Sequence, residues 1–322
     1  MGNSNIAKLN AAALILLVGM GVVSFCIGVA HFDLTSLFTN PDDTFLFFIS
    51  RLPRTLAAVL MGGTLAVAGV IMQLLVRNRF VGPGTTGTVE SAVIGMLLMA
   101  WFFPMAPTLV KAAVAAVFSL GGLVIFLGIT TRLPVNQPFL IPLIGIVFSG
   151  VVGAVGTFIA LKIDLLQLVY TWINGDFSSV LQGRYELLWL AATVAVFSYF
   201  VADQFSILGL GRSKALSLGL GYNQVMLLGM LCVAIITATN VATIGTIPFV
   251  GLVIPNIVAR LVGDNLRKTL PLVALLGANL VLLADIFART VRFPYEIPAG
   301  TIFGVLGAII FLWMVLGGTR RA

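Results

Sequence analysis

Two carboxylates, Glu90 and Asp285, lie inside apolar stretches of this 322-residue chain. A charge within a bilayer is costly and is by default a functional candidate. Asp285 stands four residues before Arg289, so both share a helix face and can pair. It reads as a packing pair, with a pathway acid as the alternative. Glu90 begins an apolar run near the expected cytoplasmic boundary. It reads either as a gating or packing group there or as an acid with no special role. A third polar feature is the run Gly245–Asp264, GTIPFVGLVIPNIVARLVGD. Pro248 and Pro255 remove backbone donors and interrupt the helical ladder. Freed carbonyls inside lipid need protein or water partners. The run therefore reads as a broken element, with Asn256 and Arg260 as its polar pair.

Other chemistry is missing. No Gly-rich Walker A sequence occurs, so the chain offers no phosphate-cradling loop of its own. The single histidine, His31, reads as an interfacial residue. No His, Cys and carboxylate cluster has metal-ligand spacing, and one histidine leaves no Ser/His/Asp set. Cys26 and Cys232 both fall in apolar segments and read as small buried hydrophobes, not as a disulfide. An enzyme is thus disfavoured.

The elements that must carry these residues follow from composition. Hydrophobic residues make up 60% of the chain and charged residues 9%, against roughly 25% charged in soluble domains. The solvent for this surface is a bilayer. The net charge of +7 fits basic cytoplasmic loops. The basic residues are scattered without aromatic interleaving, which argues against nucleic acid.

Apolar segments recur at 11–30, 55–76, 91–103, 109–129, 139–161, 187–201, 225–246, 252–262, 270–287 and 297–316. These are ten expected spans, two of them short (91–103 and 252–262). The first, with Lys8 before it, reads as an uncleaved transmembrane helix and not as a signal peptide. The patch 165–173 is too short to span and is expected at an interface. A cytoplasmic N-terminus puts Lys8, Arg77, Arg79, Arg132, Arg212, Lys214, Arg267, Lys268, Arg320 and Arg321 inside, with Asp203 and Asp264 as the only loop acids there. Asp33, Asp42, Asp43, Asp164, Asp176, Glu186 and Glu296 then lie outside, as the positive-inside rule favours. The basic residues left outside are Arg51, Arg54, Lys111, Lys162, Arg184, Arg289 and Arg292. The expected fold is all-α and polytopic, one transmembrane domain over residues 1–322. Its second and seventh spans run in opposite directions, which permits an inverted repeat. Gly62, Gly63, Ala66 and Gly69 let another helix approach the second span closely.

Four motifs, in order, carry a family resemblance. The first is Arg51-Leu52-Pro53-Arg54-Thr55-Leu56 with Gly62, Gly69 and Met72-Gln73. The second is Arg77-Asn78-Arg79-Phe80-Val81-Gly82-Pro83-Gly84-Thr85-Thr86-Gly87. The third is Leu208-Gly209-Leu210-Gly211-Arg212-Ser213-Lys214-Ala215-Leu216-Ser217-Leu218-Gly219. The fourth is the Gly245–Asp264 run, continuing through Pro271, Gly277-Ala278-Asn279, Asp285, Ala288-Arg289 and Ile297-Pro298-Ala299-Gly300. Together they resemble the permease subunits of binding-protein-dependent ABC importers for iron(III)-siderophores, haem and vitamin B12. The Asn-Arg-Phe-Val form is similar to the ferric catecholate-type subgroup. The family usually has Pro-His where this chain has Pro255-Asn256, which removes any titration there.

The resemblance implies a type II importer permease of ten helices in a bacterial inner membrane, with both termini cytoplasmic. It implies a second, homologous permease in a heterodimer, two cytoplasmic ATPases and a periplasmic or lipoprotein binding protein. ATP and Mg would sit on the ATPases, and this chain would bind no cofactor and no metal. Leu208, Gly209, Gly211, Arg212, Lys214, Ala215, Leu218 and Gly219 would form the loop that docks on the ATPase. The alternative is an ordinary solvated loop. Arg51, Arg54 and Arg289 match positions that face binding-protein carboxylates, which guanidinium forks suit. The alternatives are pairing of Arg289 with Asp285 and interfacial snorkelling of Arg51 and Arg54. The second span and the helix around Phe148–Phe158 are the pathway candidates. Rival functions are an ion-coupled secondary transporter and the same scaffold carrying haem or vitamin B12.

Overall fold

The computed structural model describes residues 3–28, 37, 39–132 and 140–318. His31, Asp33, Arg320 and Arg321 lie outside the described residues. Long helices form α1 (Asn3–Cys26), α3 (Leu52–Val76), α5 (Thr108–Thr130), α6 (Leu140–Lys162), α11 (Tyr222–Thr243) and α13 (Leu266–Thr290). Shorter ones are α2 (Pro41–Leu46), α4 (Thr88–Phe102), α7 (Leu166–Ile173), α8 (Leu188–Phe200), α9 (Ala202–Gly209), α10 (Arg212–Ser217), α12 (Val250–Val262) and α14 (Ala299–Gly318). A π-turn, Phe47–Arg51, joins α2 to α3.

Among the described residues six helical segments are long and apolar enough to cross a bilayer, and α8 joined to α9 makes a seventh, bent by 69°. The shorter apolar helices α4, α12 and α14 complete the ten expected spans. Burial orders them. In its most apolar stretch the α3 segment is 72% buried, whereas that of α1 is 11% buried. The second span is therefore the hub, and the first is peripheral.

Small residues let α13 and α12 press against α3. A Cβ on Gly62 would stand 2.4 Å from the Gly277 carbonyl oxygen, and one on Gly69 would stand 1.8 Å from that of Gly251. Pro255 lies inside α12, so the Gly251 carbonyl has no N–H four residues on. It points at Gly69 instead. The sequence places these glycines in ordinary helix packing, and the helices do pack there, backbone to backbone. α11 runs antiparallel to α3: Asn240 donates to Thr64 at 3.2 Å, while Gly229 lies beside Leu75.

Two expectations need correction. Alternating spans put the turn Ile247–Gly251, between the seventh and the eighth, at the outer surface, and it does not reach there. α12 has 13 residues, about 20 Å of helix at 1.5 Å per residue. Its C-terminal end is marked by Asp264, bridged to Arg79 at 2.6 Å. Its start therefore reaches only the level of Leu65 and Gly69, halfway down α3, where Gly251 packs. Cys26 is exposed, and only Cys232 is buried. The patch expected at an interface becomes α7, whose Val169 is buried and packs with residues of α4 and α11.

Candidate transport and coupling sites

The third motif folds as two short helices. Val201 ends α8, and the chain turns into α9. Phe205 and Leu208 are buried on the α3 side, in one core cluster with Ile71, Leu75 and Val233. A salt bridge of 2.5 Å from Arg267 to Asp203 ties α9 to the start of α13. A Cβ on Gly209 would meet Leu74 Cδ2 at 2.8 Å, so the leucine would have to shift. Gly211 and Gly219 take positive φ, 98° and 78°, a region glycine enters without steric penalty. They bound α10. The eight expected loop residues thus separate into two roles. Leu208 and Ala215 are buried and, with the three glycines, shape the element. Arg212, Lys214 and Leu218 are exposed, as are Leu210 and Leu216. The exposed face is apolar with two cationic side chains.

Next to it lies the second motif. Arg77 ends α3 in the left-handed conformation. Asn78 accepts the Phe80 N–H at 2.9 Å; Thr85 Oγ1 accepts the Gly82 N–H and the Thr85 N–H donates to the Gly82 carbonyl, each at 3.0 Å, closing the short turn Pro83–Thr85. Asn256 holds this segment from α12: its Nδ2 donates to the Arg79 carbonyl and to that of Leu252, each at 2.7 Å. That accounts for the residue that departs from the family's Pro-His. Asn256 needs only a donor to position the loop, and no titration.

At the opposite end of α3 the arginines meet the intramembrane acid. Asp285 is fully buried and paired with Arg289 at 2.8 Å, the expected i,i+4 contact. Arg54 also reaches it, at 2.8 Å, and spans to Glu296 at 2.8 Å. Arg289 further donates to the Ser24 hydroxyl at 2.7 Å and to the carbonyls of Ser24 and Ile27. Arg51 is buried and donates to the Ile27 carbonyl. Arg51, Arg54 and Arg289, expected to face binding-protein carboxylates, are thus largely buried and held by partners within the chain. The buried carboxylate draws the Arg54 and Arg289 guanidinium groups inward, because a desolvated charge must be paired. The cluster clamps α1, α3, α13 and the segment before α14. Glu296 was expected only as an outer loop acid. Arg54 and Glu296 are 242 residues apart, and no local spacing signals such a pair.

Glu90, the other intramembrane acid, sits in the first turn of α4, where the helix dipole favours a carboxylate. It lines an open cavity of about 320 Å³ between α3, α4, α11, the Gly82–Thr85 and Gly245–Phe249 turns and the start of α14. A second cavity of about 80 Å³ continues from it toward α6 and α7. Thr237 and Asn240 of α11 share the larger cavity. Sequence reading passed over them, although two polar residues three apart in an apolar span are a visible signal. Of the pathway candidates, Phe148 packs on Gly87 and Phe158 faces outward, 61% exposed.

Comparison with known proteins follows the same outline. The model of the FecCD transport family matches residues 13–317. The petrobactin import system permease protein YclN of Bacillus subtilis (strain 168) is 43% identical over 303 residues, which cover 94% of this chain and 96% of that protein. The petrobactin import system permease protein FatD of Bacillus anthracis is 38% identical, covering 94% of this chain and 90% of that one. A solved metal-chelate type ABC transporter in an inward-facing conformation superposes with a TM-score of 0.80 at 26% identity, covering 97% of this chain and 99% of that chain. The chain therefore belongs to the FecCD transport family and is a multi-pass permease subunit of an ABC importer, a role that implies a partner permease, an ATPase and a substrate-binding protein.

Proposed function

We propose that this permease carries a ferric siderophore from an external binding protein into the cytoplasm, driven by ATP hydrolysis on two separate ATPase chains that hold the ATP and Mg. It works as one domain in a bacterial inner membrane, both termini inside, beside a homologous permease. The observation that carries the reading is the α9–α10 element. It is anchored by Phe205, Leu208 and the Asp203–Arg267 bridge, yet presents Leu210, Leu216 and Leu218 to solvent with Arg212 and Lys214 between them. Exposed leucines on a cytoplasmic element mark a protein contact. An ATPase that pushed this face would move α3 and α13 together. The petrobactin systems of the two relatives support a siderophore over haem or vitamin B12.

Docking of the binding protein through Arg51, Arg54 and Arg289 would require its carboxylates to displace an internal partner. Glu296, whose side chain is 23% exposed, is the exchangeable one. Charge pairs of this kind set orientation and encounter rate.

The test reconstitutes the permeases, ATPases and binding protein in proteoliposomes and follows ATP-driven, vanadate-sensitive uptake of ferric siderophore. Leu216→Glu with Leu218→Glu should abolish uptake and ATPase co-purification while leaving the thermal midpoint unchanged, because both side chains are exposed. Wild-type uptake in that double variant would overturn the coupling assignment.

A further inference from the structure

We propose that the cavity at Glu90 is a binding site for a compact monovalent cation, either a free inorganic ion or an ammonium group on the transported chelate. Three buried side-chain oxygens of residues that line it, Glu90 Oε2, Thr237 Oγ1 and Asn240 Oδ1, have no hydrogen-bond partner among the described residues. Thr237 and Asn240 are each only 1% exposed, so bulk water does not satisfy them.

The Asn240 amide is oriented, not free to flip. Thr64 donates its single hydroxyl proton to the Met61 carbonyl at 3.2 Å. It can then only accept from Asn240 Nδ2. That leaves Asn240 Oδ1 as the amide's unpartnered acceptor. Among the described residues the side chains lining the cavity include no Lys, Arg or His. A carboxylate, an amide oxygen and a hydroxyl oxygen around a space without a protein cation form an acceptor set that wants positive charge or N–H donors. The nearby Gly245–Phe249 turn interrupts the spans halfway down α3, so non-helical backbone lines the same cavity. Non-helical backbone at membrane depth is tolerated where it lines a cavity. The volume of about 320 Å³ leaves room for a partly hydrated ion or a substituted ammonium.

The inference deepens the importer reading and, for an ammonium on the cargo, rests on it. The test uses the permease–ATPase complex in nanodiscs without ATP. Thermal midpoints are measured in sodium, potassium, ammonium and N-methylglucamine chlorides at equal ionic strength. A free-ion site predicts a midpoint that rises with one of the compact cations in wild type, not with N-methylglucamine. The rise should be lost in Glu90→Gln and in Thr237→Val with Asn240→Ala, and kept in Glu90→Asp. A cargo site instead predicts no ion response. Glu90→Gln should then raise the half-saturating concentration of an ammonium-bearing ferric chelate by about thirtyfold or more, as loss of a buried charge partner does, and leave a chelate lacking ammonium unchanged. Absence of both responses overturns the proposal. Should Glu90→Gln fail to fold, the Thr237→Val and Asn240→Ala pair carries the same readouts. Ion binding is read without ATP, so its failure would leave ATP-driven uptake standing. Loss of uptake in Leu216→Glu with Leu218→Glu would equally leave ion binding standing.

Discussion

Asp285 shows how one side chain can commit several helices. It is fully buried and accepts from two arginines on different spans. Removing one partner of a buried ion pair costs about 3–5 kcal/mol, because the other charge is left unpaired, whereas replacing both by apolar groups is often neutral. Asp285→Ala should lower the thermal midpoint of the purified permease sharply. Asp285→Leu with Arg289→Met should recover part of the loss, since Arg54 keeps Glu296. Equal losses in the single and double variants would contradict the pairing role. Asn256 is a second case. Its two 2.7 Å bonds run to backbone carbonyls, and an unsatisfied buried polar group costs about 1–3 kcal/mol. Asn256→Leu should therefore destabilise and slow uptake, while Asn256→His, which keeps a ring N–H donor, should retain both. A leucine variant of wild-type stability would show that the Arg77–Thr86 segment does not depend on this anchor.

At the level of elements, the decisive contacts are between backbones. Gly69 and Gly62 hold α12 and α13 close to α3 because no Cβ intervenes. Overpacking costs about 1–3 kcal/mol, and here the obstacle is a carbonyl that cannot rotate away. Gly69→Val should depress the midpoint and the yield of folded protein. Gly121→Ala on α5, where a Cβ meets nothing within 4 Å, should be neutral. Similar behaviour of the two variants would remove the close-approach argument. The glycine pattern was legible in the sequence, but its partners were not. Gly251 and Gly277 lie 182 and 215 residues away in the chain, and helix periodicity carries no information about which face meets which.

For the whole molecule, the loop charges and the ten spans give one orientation. The α9–α10 element, the Arg79–Asp264 bridge and the end of α12 gather on one side, and the Arg54–Asp285–Glu296 cluster stands at the other end of α3. In a variant with Cys26 and Cys232 replaced by Ala, Ser213→Cys should react with a membrane-impermeant maleimide only from the cytoplasmic face. Ser178→Cys should react only from the outer face. Exchange of the two sides would reverse the topology, and labelling of both from one side would overturn the span count between them.

Composition, apolar segment lengths and charge bias settled that this is a multi-pass helical protein, because solvation by lipid constrains every residue along a span. The motif order settled the family. The Asp285–Arg289 pair was also readable, since i,i+4 geometry is local. Tertiary structure alone decided that Arg54 joins that pair and that Ala215 is buried while Leu218 is exposed. It also decided that the turn after α11 stops at mid-depth against Gly69. Each depends on which helix faces meet, a contact across more than a hundred residues that no local pattern encodes. The same holds for Glu90: the sequence shows an acid at the start of a span, and only the packing of α3, α4, α11 and α14 gives it a cavity and two neighbouring oxygens.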